Sequence, residues 1–208
     1  MTTHTTTTQA ETPQAHTPQT KTPQAQTPQT ETPQAQTPRT MSTGDSGTTA
    51  YASEPAPRLA WAELAPDVYK AMVRLDIAAR QGVDPVLLEL VKIRASQLNH
   101  CAFCLDMHTK DALAAGESVE RIVQLSAWEE SPHFYTEKEL AAIELTEAVT
   151  VLTDGFVPDA VYERAAEHFE ESALAQLIAS ITVINAWNRF GVACRLVPGN
   201  YKAGQHKA

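Results

Sequence analysis

His100-Cys101-Ala102-Phe103-Cys104-Leu105-Asp106-Met107-His108 is the stretch that decides how this chain is read. Two cysteines stand three apart, and a histidine follows four further on. At about 100° per helical residue, Cys104 lies about 60° of arc from Cys101, and His108 falls between them. On a helix, two thiols and one imidazole therefore share one narrow stripe. A CxxC pair closes to a disulfide with little backbone movement, and a neighbouring imidazole handles the protons that thiol chemistry moves.

Around this stretch every periodic segment suits a helix. Pro66–Arg80 carries Val68, Met72, Leu75 and Ala79 at three- and four-residue spacing, and Gly82 breaks it. Asp84-Pro85 reads as an N-cap followed by proline at the first helical position, opening a helix from Val86 to about Asn99. After a short break at Asn99-His100, Cys101–Ala115 runs to Gly116. A shorter helix from Ser118 stops before Ser131-Pro132, and Thr136 with Glu139 forms a capping box for a helix to about Leu152. Pro158-Asp159 opens a helix to about Glu170, and Ser172 opens the last, to about Cys194. Val197-Pro198-Gly199-Asn200 is expected to end ordered structure. No alternating strand pattern appears, and no Gly-rich loop follows a strand. This excludes a Rossmann or P-loop nucleotide site, and also the βαβ thioredoxin fold in which CxxC is often found.

The 208 residues are not uniform. Residues 1–57 hold eight of the thirteen prolines and almost no large apolar side chains. Within them, 12–41 are six pentapeptides starting at Thr12, Thr17, Thr22, Thr27, Thr32 and Thr37, with Ala and Thr alternating in the fourth place. Proline at every fifth position blocks helices and sheet ladders, and there is nothing to bury. The expectation is a disordered low-complexity tail over 1–57 and one helical domain over 58–208. That domain has 14 Lys and Arg against 21 Asp and Glu, which argues against nucleic-acid binding. The apolar run Ala173–Trp187 is broken by Gln176, Ser180, Thr182 and Asn185, so it reads as a core helix rather than a membrane span. The start, Met1-Thr2-Thr3-His4, has no secretory pattern, so the expected compartment is the reducing cytoplasm. There a CxxC is more often redox-active or metal-binding than a structural staple.

Glu89 is the acid that fits beside the stripe. It stands alone in Leu87-Leu88-Glu89-Leu90-Val91, where a carboxylate needs a partner. Counting outward from the break at Asn99-His100, Glu89 lies ~15 Å and His108 ~12 Å along antiparallel helices, at similar height. A carboxylate there orients the imidazole and raises its basicity. The alternative of zinc bound by Cys101, Cys104 and His108 lacks a fourth ligand at regular spacing. A non-enzymatic helical module, with the cysteines as buried small apolar residues, is the plainest alternative. Cys194 reads as a packed thiol. Trp128, Trp187 and Phe190 read as core or subunit-interface residues. Asn185 and Arg189 read as a hydrogen-bonding pair on one helix face.

Glu89, Cys101, Cys104 and His108, with Lys92-Ile93-Arg94-Ala95-Ser96 between, resemble the carboxymuconolactone decarboxylase / AhpD-like alkylhydroperoxidase superfamily. Gly116 and Ile184-Asn185-Ala186-Trp187-Asn188-Arg189 carry the resemblance through the domain. It implies an all-α AhpD-like helical bundle and a homo-oligomer, commonly a trimer or hexamer. It also implies an antioxidant thiol peroxidase or disulfide reductase, with a hydroperoxide as substrate, an external dithiol as reductant, and no flavin or metal. By resemblance Cys104 attacks the peroxide, Cys101 resolves, and His108 with Glu89 relays protons. The position of Cys101 at a helix N-terminus instead favours Cys101 as the lower-pKa thiol. The family's other named activity, ring-opening lactone decarboxylation, does not depend on CxxC. Where the archetype has a second histidine just before the second cysteine, this chain has Phe103, which points to the broader branch of the family.

Overall fold

A computed structural model describes residues 55–205, all within the unit Ala50–Ala208. The expectations for residues 1–54 lie outside the described residues. Among the described residues the fold is all-α, with no strand: α1 (Trp61–Leu64), α2 (Pro66–Ala79), α3 (Pro85–Leu98), α4 (Ala102–Ala114), α5 (Val119–Gln124), α6 (Glu137–Thr150), α7 (Asp159–His168) and α8 (Glu171–Ala193). Two short 3-10 turns, Leu125–Glu130 and Pro132–Phe134, join α5 to α6.

α3 is the centre of the bundle. Asp84 caps it by accepting from the Leu87 N–H at 2.9 Å, and Pro85 fills the first position, where no N–H is needed. Its apolar residues cover more than one face, so it packs on α4, α6 and α8 at once. On one side Leu87, Leu88 and Val91 meet Leu145, Leu177 and Ile181. On the other, Leu90 and Ile93 meet Leu125, Ile143 and Ala112. The capping box of Thr136 and Glu139 starts α6 as the sequence indicates. α8, 23 residues and about 35 Å long, closes the bundle from behind.

Two expectations need correction. The helix expected from Ser118 is α-helical only to Gln124; the chain then tightens and kinks at Ala127, with φ −132° and ψ 37°. The kink leaves Trp128 free to donate from Nε1 to Glu147 on α6 at 2.6 Å. Ordered structure also does not end at Val197–Asn200. The Pro198-Gly199 turn, with Gly199 at φ 106°, folds the chain back onto α4. The Gly199 N–H donates to Asp106 at 2.9 Å, Lys110 Nζ donates to the Gly199 and Tyr201 carbonyls at 3.0 Å, and Tyr201 is buried. A Pro-Gly pair ends a helix without ending packing.

Candidate active site

The turn between α3 and α4 sets the two sulfurs. His100 takes a left-handed conformation, φ 54°, which lets the chain reverse within two residues. Asn99 Nδ2 ties this turn to the Ala95 carbonyl and to Asn185 and Asn188 on α8, at 2.9–3.0 Å. Cys101 is the N-cap residue of α4 and Cys104 lies in its first turn; both are buried and reduced. Their Sγ atoms are 2.7 Å apart, either thiol can donate across that contact, and once Cys101 is ionised the donor is Cys104. That bond is the main reason the Cys101 thiol falls from 9.0 to about 7. Burial opposes the shift, while the Cys104 and Phe103 backbone N–H groups and the Asn188 side chain add to it. Cys104 moves well above the ordinary thiol range, because it holds the shared proton, is buried, and lies beside the Cys101 charge.

His108, one turn beyond Cys104, is buried, and its Nδ1 lies 2.8 Å from Glu89 Oε2 on α3. Asp111 follows one turn later. Its carboxylate accepts from the Tyr201 hydroxyl at 2.8 Å and the Gly204 N–H at 2.9 Å. Donor atoms of Glu89, His108 and Asp111 all lie within 4.8 Å of one another. Neither cysteine belongs to that group, so the set Cys101, Cys104 and His108 weighed for zinc does not converge among the described residues. Both sulfurs lie close to Gly191 on α8.

A cavity of about 370 Å³ opens onto this array. Cys104, His108, Glu89 and Asp111 line it, and Cys101 does not. Its other walls are mostly apolar: Trp61, Tyr69, Phe103, Met107, Trp187 and Leu196. Trp61 stacks on Phe190 at 3.9 Å and meets Tyr69 and Trp187 at 5.6 and 5.9 Å. Residues 58 and 59 hold this wall in place by donating their N–H groups to the Cys194 carbonyl at the end of α8, at 2.8 and 3.4 Å.

The profile of the Carboxymuconolactone decarboxylase family matches residues 66–148. The uncharacterized protein YdfG of Bacillus subtilis (strain 168) is 42% identical over 137 residues, covering 65% of this chain and 92% of that protein. The chain belongs to the carboxymuconolactone decarboxylase / AhpD-like superfamily. A shorter match, 52 residues at 40% identity, covers 25% of this chain and 29% of the alkyl hydroperoxide reductase AhpD of Rhodopseudomonas palustris (strain BisB18). Among solved structures, a protein of unknown function from Agrobacterium tumefaciens, named as a candidate antioxidant defence protein AhpD, superposes with a TM-score of 0.67 at 34% identity. That match covers 70% of this chain and all of the other.

Within this AhpD-like fold the four residues singled out from the sequence form two pairs. Glu89 meets His108, and Cys101 meets Cys104. The structure divides charge from access: the lowered thiol is Cys101, while the cysteine that lines the cavity is Cys104. Phe103, which replaces the archetype's second histidine, packs beside the cysteines and lines the cavity. Sequence reasoning gave Asn188 no role of its own and passed over Gly191, Asp111 and Tyr201. The one usable signal was the i, i+4, i+7 stripe Ile184, Asn188, Gly191, a polar and a small residue on an otherwise apolar helix. Among the described residues no helix is long and apolar enough to cross a membrane.

Proposed function

We propose that this protein is a thiol-dependent alkyl hydroperoxide reductase of antioxidant defence. The observation that carries the reading is a pair of free cysteines with sulfurs 2.7 Å apart, one of which, Cys104, lines a mostly apolar cavity together with His108 and Glu89. Cys104 attacks the peroxide while Cys101 takes its proton across the sulfur–sulfur contact. The O–O bond breaks, Cys104 becomes a sulfenic acid, and the departing alkoxide takes a proton from His108, which Glu89 orients. The Cys101 thiol then attacks the sulfenic sulfur; an S–S bond forms and water leaves. An external dithiol attacks Cys104 and expels Cys101, whose low pKa makes it the better leaving group. The dithiol ends as a disulfide. Of its two protons, one returns to Cys104 and the other to His108.

The test is mass-resolved oxidation of the reduced protein by one equivalent of an apolar hydroperoxide. Wild type loses two hydrogens as the disulfide closes. Cys101→Ser stops one oxygen heavier, and Cys104→Ser takes up none. A wild type that forms neither product refutes the reading. Closure by diamide but not by peroxide makes the protein a disulfide oxidoreductase instead. Assembly into a homo-oligomer belongs to the same proposal, supported by exposed apolar side chains such as Val119 and Val123 on one face of α5.

A further inference from the structure

The dithiol has a back wall that the mechanism above leaves unused. Ile184, Asn188 and Gly191 are buried at i, i+4 and i+7 of α8, so they form one stripe facing the cysteines. Gly191 lies inside the helix without a left-handed φ, so no backbone conformation requires glycine there. Space requires it. A Cβ at residue 191 would sit 2.6 Å from the Cys101 Sγ and 3.6 Å from the Cys104 Sγ. The first distance is impossible for a real Cβ, and the buried thiol has no long, flexible arm with which to move aside. The Cys101 sulfur occupies the volume that every other residue would fill.

Asn188 supplies the direction. It is 1% exposed, and its amide is fixed by two bonds. Its oxygen accepts from Asn99 at 3.0 Å, and its nitrogen donates to Ser96 Oγ at 3.0 Å. Ser96 Oγ in turn donates to the Lys92 carbonyl at 2.7 Å, so its lone pairs are what it offers Asn188. An amide nitrogen has two hydrogens. One is spent on Ser96, and the amide beside the dithiol favours the anion of both thiols.

We propose that Gly191 and Asn188 are positioning residues of the dithiol, α8 holding the Cys101 sulfur against Cys104 by a missing side chain and an oriented amide. The inference rests on the redox reading of the pair. It does not depend on which oxidant the cell supplies.

The experiment uses the full chain and diamide, so that its failure is separable from failure of the peroxidase reading. Gly191→Ala should slow disulfide closure by ~10²-fold, the scale of an ångström-sized misplacement of reacting groups. The midpoint of the thiolate ultraviolet absorbance should move up from about 7. Asn188→Leu should also raise that midpoint. A second background isolates the steric cause. In Cys101→Ala the clashing sulfur is gone, so Gly191→Ala should raise Tm there, as a better helix former does. In wild type the same change should lower Tm or leave the chain unfolded. The proposal is overturned if Gly191→Ala closes its disulfide and titrates like wild type. It is equally overturned if the Tm change is the same in both backgrounds, or if Gly191→Ala with Cys101→Ala fails to fold.

Discussion

Removing the proton that Cys104 lends to Cys101 tests the electrostatics of the pair directly. In Cys104→Ala the hydrogen bond that contributes most to lowering the Cys101 thiol is lost, while the burial that raises it remains. The Cys101 midpoint should therefore climb from about 7 to the ordinary 9.0 or above. Two pH units correspond to about 3 kcal/mol of differential stabilisation of the anion. At neutral pH the ionised fraction of Cys101 should fall from about one half to about one hundredth. Cys104→Ser, which keeps a shorter donor, should lie between. The assay is thiolate absorbance against pH, with Cys101→Ala as the blank. The stability consequence has a definite sign. A depressed folded-state thiol pKa stabilises the fold above the ordinary thiol range, and the gain is lost as pH falls through about 7. Cys104, raised in the folded state, works in the opposite direction above the ordinary range. The Tm advantage of wild type over Cys101→Ala should therefore grow between about pH 7 and 9 and not beyond. If Cys104→Ala still titrates near 7, the shared-proton account is wrong, and the helix terminus with Asn188 lowers the thiol unaided.

Three further outcomes are expected. Glu89→Gln removes the charge beside the His108 ring and should slow peroxide reduction ~10²-fold, read as kcat/KM, with the circular dichroism spectrum unchanged. A chain beginning at Ser53 should keep the Tm and activity of the full chain. One beginning at Ala65 loses the buried Trp61 and the two bonds to the Cys194 carbonyl, and should be less stable by about 3–5 kcal/mol in urea. Light scattering at micromolar concentration should find an oligomer, and a monomer alone would remove assembly from the proposal.

How much could be read from the sequence follows from how far apart the interacting residues are. The cap and proline of α3, the capping box of α6 and the apolar periods are local, and each appears where the sequence places it. The meeting of Glu89 and His108 was legible because a single tight turn separates them and both lie at a countable height on their helices. The partners of Asp111 were not. Tyr201 lies 90 residues away, beyond a Pro-Gly turn that locally looks like an ending. Gly191 was invisible for a related reason. Glycine inside a helix reads as a small defect, and only the approach of α4 to α8 shows that a sulfur fills the gap. The four-residue α1 has too few residues for any period, and Trp61 is held by rings of α2 and α8 rather than by its neighbours in sequence.

The four candidate site residues come from one stretch of the chain, and part of the cavity wall comes from outside it. Glu89, Cys101, Cys104 and His108 all fall inside residues 66–148, the part that matches the family profile. Trp61 lies before that part, and Trp187 and Leu196 lie after it, yet all three line the cavity. The residues argued to seat the dithiol, Asn188 and Gly191, also lie after it. Trp61 and Leu196 lie outside the apolar clusters that hold α3 and α4, so this part of the wall can change without disturbing those helices, whereas Trp187 packs against the cluster of Ala95, Cys101, Cys104 and Ile184. On the proposed reading, the profile-matched core fixes which bond is broken, and Trp61, Trp187 and Leu196 fix which hydroperoxide reaches it. Substitution at Trp61 should accordingly alter KM among hydroperoxides of different size, while substitution at Glu89 should lower kcat for all of them.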